Sequence, residues 1–111
     1  MARYQYVILS RAKAGQEEEY VRWYRDQHLA DVARLPGVVN GRLFSQDWQK
    51  DYDLGPPQYC LIAIYELETE DPVATVDGIR VLLGSTAMPS TDALDKSGMI
   101  QVIGHPIAAI G

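Results

Sequence analysis

The sequence predicts an α+β fold in which strands and helices follow one another in the order βαββαβ. Two segments carry apolar residues at helical spacing, and four short segments are rich in β-branched and aromatic residues. Stretches that contain glycine and proline separate these segments. A length of 111 residues is typical of one domain, so we expect residues 1–111 to form a single domain.

The first strand is predicted over residues 2–10, and the first helix begins at Gln16. Glutamates at positions 17–19 occupy the first turn of this helix, where carboxylates interact favourably with the positive end of the helix dipole. Pro36 disfavours helical geometry at Leu35 and therefore ends the helix. Residues at four-residue spacing form one stripe along the helix, which consists of Tyr20, Tyr24, His28 and Val32.

The second strand is predicted from Gly37 as a continuous strand with a bulge or kink at Gly41. A long loop over residues 45–58 follows, because its Gly55-Pro56-Pro57 sequence does not fit a regular element. Residues 59–68, YCLIAIYELE, form the clearest strand of the sequence.

A second helix is predicted over residues 70–84, with Asp71 as its N-cap and Pro72 at its first position. Residues 85–98 are predicted to be a loop, and residues 99–111 a last strand. This order of elements is that of the ferredoxin-like plait, in which one antiparallel sheet carries both helices on one face.

The third strand predicts that the protein is a homodimer. One of its faces carries Tyr59, Leu61, Ala63, Tyr65 and Leu67, and the other carries Cys60, Ile62 and Ile64. Helices on one side of the sheet would leave the other apolar face in water, which exceeds what a soluble monomer normally exposes. We therefore expect a second copy of the chain to cover this face.

Composition restricts the partners and the compartment. The net charge of −5 and the lack of a basic run argue against a nucleic acid or an anionic membrane as partner. The single cysteine, Cys60, excludes an intramolecular disulfide and a multi-cysteine metal site. Because no signal segment opens the chain and no apolar run approaches the length of a membrane span, we expect a cytoplasmic protein.

Residues 23–44, WYRDQHLADVARLPGVVNGRLF, resemble the dimeric α/β-barrel superfamily, and specifically its EthD-like and related small members. The shared pattern is an aromatic-rich first helix with W-Y-x-x-x-H, then P-G, then a strand that ends in an R-x-F pair. The positions that match this pattern are Tyr24, His28, Pro36, Gly37, Arg42 and Phe44. The order of elements extends the resemblance over nearly the whole chain, whereas the long loop at 45–58 departs from it.

The resemblance implies two sheets that face each other across a dimer, with helices outside and a ligand cavity between each subunit's own helices and sheet. Members of the superfamily include cofactor-independent monooxygenases, lactone isomerases, polyketide cyclases and lyases. A small hydrophobic or aromatic metabolite is therefore the expected ligand.

Tyr24 and His28 are the candidate catalytic residues. Residues four apart on a helix are neighbours, so both side chains could reach one ligand atom. Histidine can donate or accept a proton near neutral pH, and a tyrosine hydroxyl can hydrogen-bond a developing enolate or phenolate oxygen. The alternative is that His28 is a core histidine whose second nitrogen bonds a backbone carbonyl.

Other residues are candidates for substrate binding. Tyr6 and Tyr65 lie on apolar strands and would line a cavity for a flat substrate, unless they belong to an ordinary core. Arg42 would hold a carboxylate or phenolate, or else pair with an acidic residue. Phe44 follows from the resemblance, and His105 lies before a proline at a predicted strand edge, where the alternative is a surface role.

Trp23 is expected to pack elsewhere, at a dimer or loop contact, because consecutive helical residues are turned by about 100°. No metal is expected, because the two histidines lack a paired carboxylate at recognisable spacing. Asp31, three residues after His28, could belong to a mixed ligand set, but the alternative is that it is simply solvated. No organic cofactor is expected either, because the sequence has neither a glycine-rich phosphate loop nor a dinucleotide fingerprint.

These observations and the resemblance lead us to expect a small homodimeric enzyme that works without a cofactor, by acid–base chemistry. The reaction would be isomerisation, cyclisation or elimination on an aromatic, polyketide-like or ring-cleavage metabolite, and such an isomerase or lyase would serve aromatic compound catabolism. Three alternatives stay open: a cofactor-independent monooxygenase, a non-catalytic accessory protein that binds a small molecule, and a purely structural dimer module.

Overall fold

The fold is an antiparallel sheet that carries helices on one face, as the sequence predicts. The computed structural model describes residues 2–50 and 59–111, so residues 51–58 of the predicted loop lie outside the described part. The strands are β1 (Arg3–Ala12), β2 (Val38–Ser45), β3 (Leu61–Glu68) and β4 (Leu94–Gly104). They form one sheet in the order β2-β3-β1-β4, and all neighbours are antiparallel.

The first helical region consists of three consecutive segments. These are α1 (Glu17–Trp23), a π-helical turn (Tyr24–His28) and α2 (Leu29–Ala33). The second helix, α3 (Pro72–Leu82), has the predicted cap, because the carboxylate of Asp71 accepts a hydrogen bond from the backbone N–H of Ala74 at 3.0 Å. The order βαββαβ is therefore confirmed, and the π-helical turn is a feature that the sequence pattern does not reveal.

β4 ends at Gly104, so the predicted last strand is wrong for residues 105–111, where Pro106 has no N–H to donate to a neighbouring strand. β4 begins at Leu94, so the predicted loop is wrong for residues 94–98. The cause lies in β1, which continues to Ala12 and pairs Ala12 with Leu94 beyond an irregularity in the register. Pairing with a neighbouring strand therefore extends β4 across a local sequence of serine and glycine that has low strand propensity.

β2 is continuous as predicted, but its register shift lies between Val38 and Asn40 rather than at Gly41. Gly41 pairs with Tyr65, and a β-carbon at Gly41 would lie 2.8 and 2.9 Å from two atoms of the Tyr65 ring. Glycine is needed at this position because the ring passes directly against the backbone.

The helix-facing side of the sheet forms the core. It includes Tyr6, Ile8 and Ser10 of β1 and the buried residues of β3, which are Leu61, Ala63, Tyr65 and Leu67. The predicted helical stripe packs on this side, and all of its members are buried: Tyr20, Tyr24, His28 and Val32. The residues at helical spacing in the first helical region and the alternate residues of the strands therefore form one common core.

The opposite side of the sheet has no helix among the described residues. It is apolar over the part that contains Val7 and Leu9, whereas at one end of it Arg3 forms ion pairs with Glu66 and Glu68. The strand registers place Val7 beside Ile64 and Val102, and Leu9 beside Ile62 and Ile100. Phe44, Ile100 and Val102 keep 41%, 42% and 52% of their surface exposed. We call this surface the open face. The predicted two-sided apolar character of the third strand is thus present in the structure.

Within the described residues, no helix has the length and hydropathy that are needed to cross a membrane.

Substitution of Gly41 by alanine should destabilise the protein by about 1–3 kcal/mol, because the new methyl group would overlap the buried Tyr65 ring. The free energy of unfolding in urea measures this loss. Gly78→Ala in α3 is the matched control, since nothing lies within 4 Å of its β-carbon position. That change should stabilise the protein by up to about 1 kcal/mol. Equal effects of the two substitutions would contradict the close approach at Gly41.

Candidate functional site

A cavity of about 560 Å³ lies between the helix-facing side of the sheet and the helices. Side chains of β1 and β4 form one wall, and the first helical region and α3 form the other. This volume is within the range of small-molecule sites, which are mostly apolar clefts with a few polar groups. The polar groups in and under its wall therefore decide what the cavity can do.

Hydrogen-bonded tyrosines form the floor of the cavity. The hydroxyls of Tyr24 and Tyr65 are 2.9 Å apart, and the ring of Tyr65 stacks on Tyr6 with a centroid separation of 5.9 Å. The hydroxyl of Tyr20 donates to Oγ of Ser10 at 2.7 Å. The Tyr6 hydroxyl donates to Oε1 of Gln101, a residue of β4.

Burial keeps these phenols protonated. It raises the pKa of Tyr6 and of Tyr20 to about 12, and it raises the pKa of Tyr65 above its usual value of 10.0. The pKa of Tyr24 is also well above that value, through burial first and then through the neighbouring Tyr65. At neutral pH these groups can therefore donate hydrogen bonds but cannot act as bases. The Tyr24–Tyr65 pair has two hydroxyl protons and uses one of them between the partners, which leaves one for another acceptor.

His28 lines the same cavity with 6% of its surface exposed. Its Nδ1 is buried and has no hydrogen-bond partner among residues 2–50 and 59–111. Burial lowers the pKa of His28 to about 4, and the charge of Asp31 opposes this shift only in part. His28 is therefore neutral at pH 7, and it has a ring nitrogen whose bonding capacity is unused. Among these residues, Nδ1 does not make the backbone hydrogen bond that the core-histidine alternative predicts.

Asp31 is buried, so the alternative that it is solvated is wrong. Its carboxylate accepts hydrogen bonds from Nε2 of Gln27 at 2.7 Å and pairs with Nη1 of Arg34 at 3.2 Å. These partners come from the same helical region and balance the buried charge. Asp31 therefore acts on His28 through its charge from a fixed position.

Trp23 also lines the cavity, and sequence reasoning missed it. Its ring stacks on His28 with a centroid separation of 4.4 Å and an interplanar angle of 14°. Its Nε1 donates to the backbone oxygen of Pro89 at 3.1 Å, so the predicted contact with a loop is also present. The sequence offers no signal for the stack beyond an aromatic residue five positions before a histidine.

The structure brings together some of the predicted site residues and separates others. Tyr6, Tyr24 and His28 line the cavity, and Tyr65 lies beneath them. Arg42 and Phe44 do not line it, because their register with Ile64 and Ile62 places them on the other side of the sheet. There the guanidinium of Arg42 lies over the Phe44 ring, 5.8 Å from its centroid.

His105 is also outside the cavity. It follows the end of β4 and is exposed, and its ring meets the edge of Tyr4 at a centroid separation of 6.3 Å. Charged residues that sequence reasoning did not select line the cavity instead. These are Asp77 and Arg80, which form an ion pair at 3.3 Å on α3, and Lys96 on β4.

The described residues, 2–50 and 59–111, contain no group of three or more His, Cys, Asp or Glu side chains that could hold a metal ion. Among the described residues, the polar groups that line the cavity are phenols, serine hydroxyls, an indole, an imidazole, an amide and charged side chains. This set suits hydrogen bonding and proton transfer.

Comparison with solved structures identifies the fold. The described architecture matches a candidate monooxygenase from Shewanella loihica PV-4 with a TM-score of 0.62 and 16% identity, over 97% of each chain. A dimeric ferredoxin-like protein of unknown function from Thermobifida fusca YX has a TM-score of 0.56 at 13% identity, over 94% of this chain and 91% of that one. The chain has the ferredoxin-like fold.

An ethyl tert-butyl ether D (EthD) family protein from Bacillus halodurans C-125 is also similar, with a TM-score of 0.53 and 10% identity over 95% of this chain and 99% of that one. The resemblance to EthD-like proteins that residues 23–44 indicate is therefore confirmed at the level of the fold. No family model and no curated protein sequence matches the chain.

The buried neutral His28 should make stability depend on pH. Because its folded pKa of about 4 is below the ordinary 6.5, the unfolded chain binds a proton first as the pH falls. The free energy of unfolding therefore has its full value above pH 6.5, where His28 is neutral in both states, and it decreases between pH 6.5 and about pH 4. Between about pH 7.5 and pH 5, the free energy of unfolding should fall by about 2 kcal/mol from this group.

Urea unfolding at these two pH values measures the effect. His28→Gln should lose most of the pH dependence, whereas His105→Gln, which changes an exposed ring, should keep it. The same pH dependence in wild type and His28→Gln would contradict the burial of a neutral imidazole.

Proposed function

We propose that this protein is a small enzyme that binds a flat aromatic or polyketide-like metabolite and catalyses isomerisation, cyclisation or elimination by proton transfer. The observation that supports this most strongly is His28, a neutral imidazole in a cavity wall with an unpartnered nitrogen. Buried polar groups normally have partners, so an exception in a cavity points to a bound ligand or a reacting group.

In the proposed reaction, His28 accepts a proton from a carbon next to a carbonyl group. The electrons of the broken C–H bond remain on the substrate as an enolate, and His28 becomes an imidazolium. The spare hydroxyl proton of the Tyr24–Tyr65 pair stabilises the enolate oxygen through a hydrogen bond. The imidazolium then returns the proton to another carbon, in isomerisation, or to a leaving hydroxyl oxygen that departs as water, in elimination. In cyclisation, the enolate carbon first forms a bond to a second carbonyl carbon of the substrate, and the imidazolium gives its proton to the resulting alkoxide. Loss of water then follows as in elimination.

The low pKa of His28 restricts the substrate. A general base works best when its pKa is close to the operating pH, so a base with a pKa of about 4 needs an acidic C–H bond. Carbons between two carbonyl groups, or between a carbonyl group and an aromatic ring, meet this requirement. Polyketide-like and ring-cleavage metabolites carry such carbons, which is why we propose this class of substrate.

A second candidate function is a cofactor-independent monooxygenase, and the likeness to a candidate monooxygenase from Shewanella loihica favours it. The first step would be the same deprotonation by His28. The resulting carbanion would then form a C–O bond to molecular oxygen, which is the oxidant, and the peroxide would take the proton from His28. Cleavage of the O–O bond with loss of water would leave a carbonyl group, so one oxygen atom enters the substrate and the other leaves as water. The two functions therefore differ in whether oxygen is consumed.

We also propose that the active form is a homodimer in the cytoplasm, assembled through the open face. Support comes from the apolar residues of that face and from the dimeric ferredoxin-like protein of Thermobifida fusca with the same fold. Two sheets that pack face to face would bury these side chains in a shared core.

Proton abstraction can be tested without the natural substrate. In heavy water, wild-type protein should speed the exchange of the activated protons of β-tetralone or benzoylacetone, measured by NMR against buffer alone. His28→Gln should lower the protein-dependent rate by at least about 100-fold, because the base is missing. His105→Gln should keep the wild-type rate, since His105 lies outside the cavity.

Full exchange activity in His28→Gln would rule out His28 as the base. Binding of these ketones by the wild type without any exchange would instead favour an accessory protein. Oxygen uptake in an electrode during turnover would favour the monooxygenase over an isomerase or lyase.

The dimer is tested by Val102→Lys, which places a charge in the open face at a site that is already half exposed. Wild-type protein should sediment with twice the mass of one chain in analytical ultracentrifugation, and Val102→Lys should sediment as a folded monomer. Val81→Lys, on the exposed side of α3, is the control and should remain dimeric. A monomeric wild type at micromolar concentration would overturn the proposal.

A further inference from the structure

The π-helical turn at Tyr24–His28 changes which side chains meet. The backbone N–H of Leu29 bonds the oxygen of Tyr24, five residues earlier. On an α-helix, residues five apart diverge by about 140° around the axis. In a turn closed by bonds between residues five apart, such residues lie on the same side of the axis instead. Trp23 and His28 are five residues apart, so this turn places their side chains next to each other.

The imidazole of His28 lies between two aromatic rings. The indole of Trp23 covers its face at 4.4 Å, with ring planes 14° apart. The ring of Tyr24 meets it edge to face at 4.8 Å, with ring planes 85° apart. Parallel and perpendicular contacts together restrict both the tilt and the rotation of the imidazole.

Trp23 is itself held in place. Its Nε1 donates a hydrogen bond to the Pro89 oxygen at 3.1 Å. Its ring also stacks on Tyr20 with a centroid separation of 5.8 Å and meets Tyr24 edge to face at 5.6 Å. The indole therefore connects the first helical region to the segment that follows α3. Because the indole is held in place, it can restrict the orientation of the His28 ring that stacks on it.

A functional histidine is usually oriented by a hydrogen bond that its second ring nitrogen donates to a carboxylate or a backbone carbonyl. Nδ1 of His28 has no such bond to the described residues. We propose that Trp23 is the positioning residue of this site, and that its stack, produced by the π-helical turn, orients the His28 imidazole in place of a hydrogen bond. This inference rests on the proposed function only in that His28 is the group that carries the proton.

The stack has a second consequence, because the indole also keeps water from one face of the imidazole. The charge of Asp31 favours protonation of His28, but burial of the imidazole opposes this protonation more strongly. Removal of the indole should admit water and raise the pKa of His28 from about 4 toward 6.5. This change in the pKa of His28 can be measured without a substrate, so it does not depend on catalytic activity.

The test is an NMR titration of histidine-labelled protein, with Trp23→Leu, Trp23→Phe and Trp48→Leu compared with the wild type. Trp23→Leu should raise the titration midpoint of His28 by at least about one pH unit, and Trp23→Phe by less, since phenylalanine keeps a ring. Trp48→Leu removes an exposed tryptophan and should leave the midpoint unchanged. An unchanged midpoint in Trp23→Leu would overturn the proposal.

Wild-type protein supplies a measurement that does not depend on the folding of any variant. A stacked indole shifts the ring protons of His28 upfield and gives nuclear Overhauser contacts between the two rings. Ordinary shifts and no contacts would overturn the proposal, and the expected shifts and contacts would support it.

The exchange assay separates this inference from the proposed function. Trp23→Leu should lower kcat roughly 10–100-fold with little change in KM, because the loss of orientation outweighs the gain in base strength from a higher pKa, while the cavity still binds the ketone. Unchanged kcat in Trp23→Leu would overturn the positioning role. If His28→Gln retains full activity while the NMR results are as expected, the proposed function fails and the orientation of His28 by Trp23 still stands.

Discussion

Tyr65 is fully buried at the centre of the helix-facing side of the sheet, and its side chain positions three other elements. Its ring stacks on Tyr6 of β1, lies against the backbone of Gly41 in β2, and carries the hydroxyl that contacts Tyr24 in the first helical region. A buried phenol needs a hydrogen-bond partner, and Tyr24 supplies it. The site depends on this contact, because it fixes the helix whose next turn carries His28 above the sheet.

The buried polar groups around Tyr65 differ in whether they have a hydrogen-bond partner, and this difference decides what the cavity can do chemically. The hydroxyls of Tyr6, Tyr20 and Tyr24 all have partners, whereas Nδ1 of His28 has none among the described residues. A neutral imidazole surrounded by protonated phenols forms an environment with donors and one available base. Aromatic stacking rather than hydrogen bonding holds that base, and this is possible because the turn from Tyr24 to His28 is π-helical.

The two sides of the sheet serve different purposes. The helix-facing side holds the cavity and its polar groups, whereas the open face presents aliphatic residues such as Ile62, Ile64 and Val102 to the surroundings. Arg42 and Phe44 lie on the open face, although they belong to the same stretch of sequence, residues 23–44, as the cavity residue His28. Because side chains alternate along a strand, adjacent positions in one motif can serve an assembly surface and a ligand site.

The sequence by itself determined the order of elements, the capped second helix, the buried stripe of the first helix and the apolar character of both strand faces. Local periodicity and capping chemistry carry that information, because each depends on residues close together in the chain. Tertiary structure decided the length of β4, the close contact of Gly41 with Tyr65, the burial of Asp31 and the position of Trp23. These depend on strand register, which pairs segments that are distant in the sequence, and on one π-helical turn, which departs from the helical period that the sequence pattern follows.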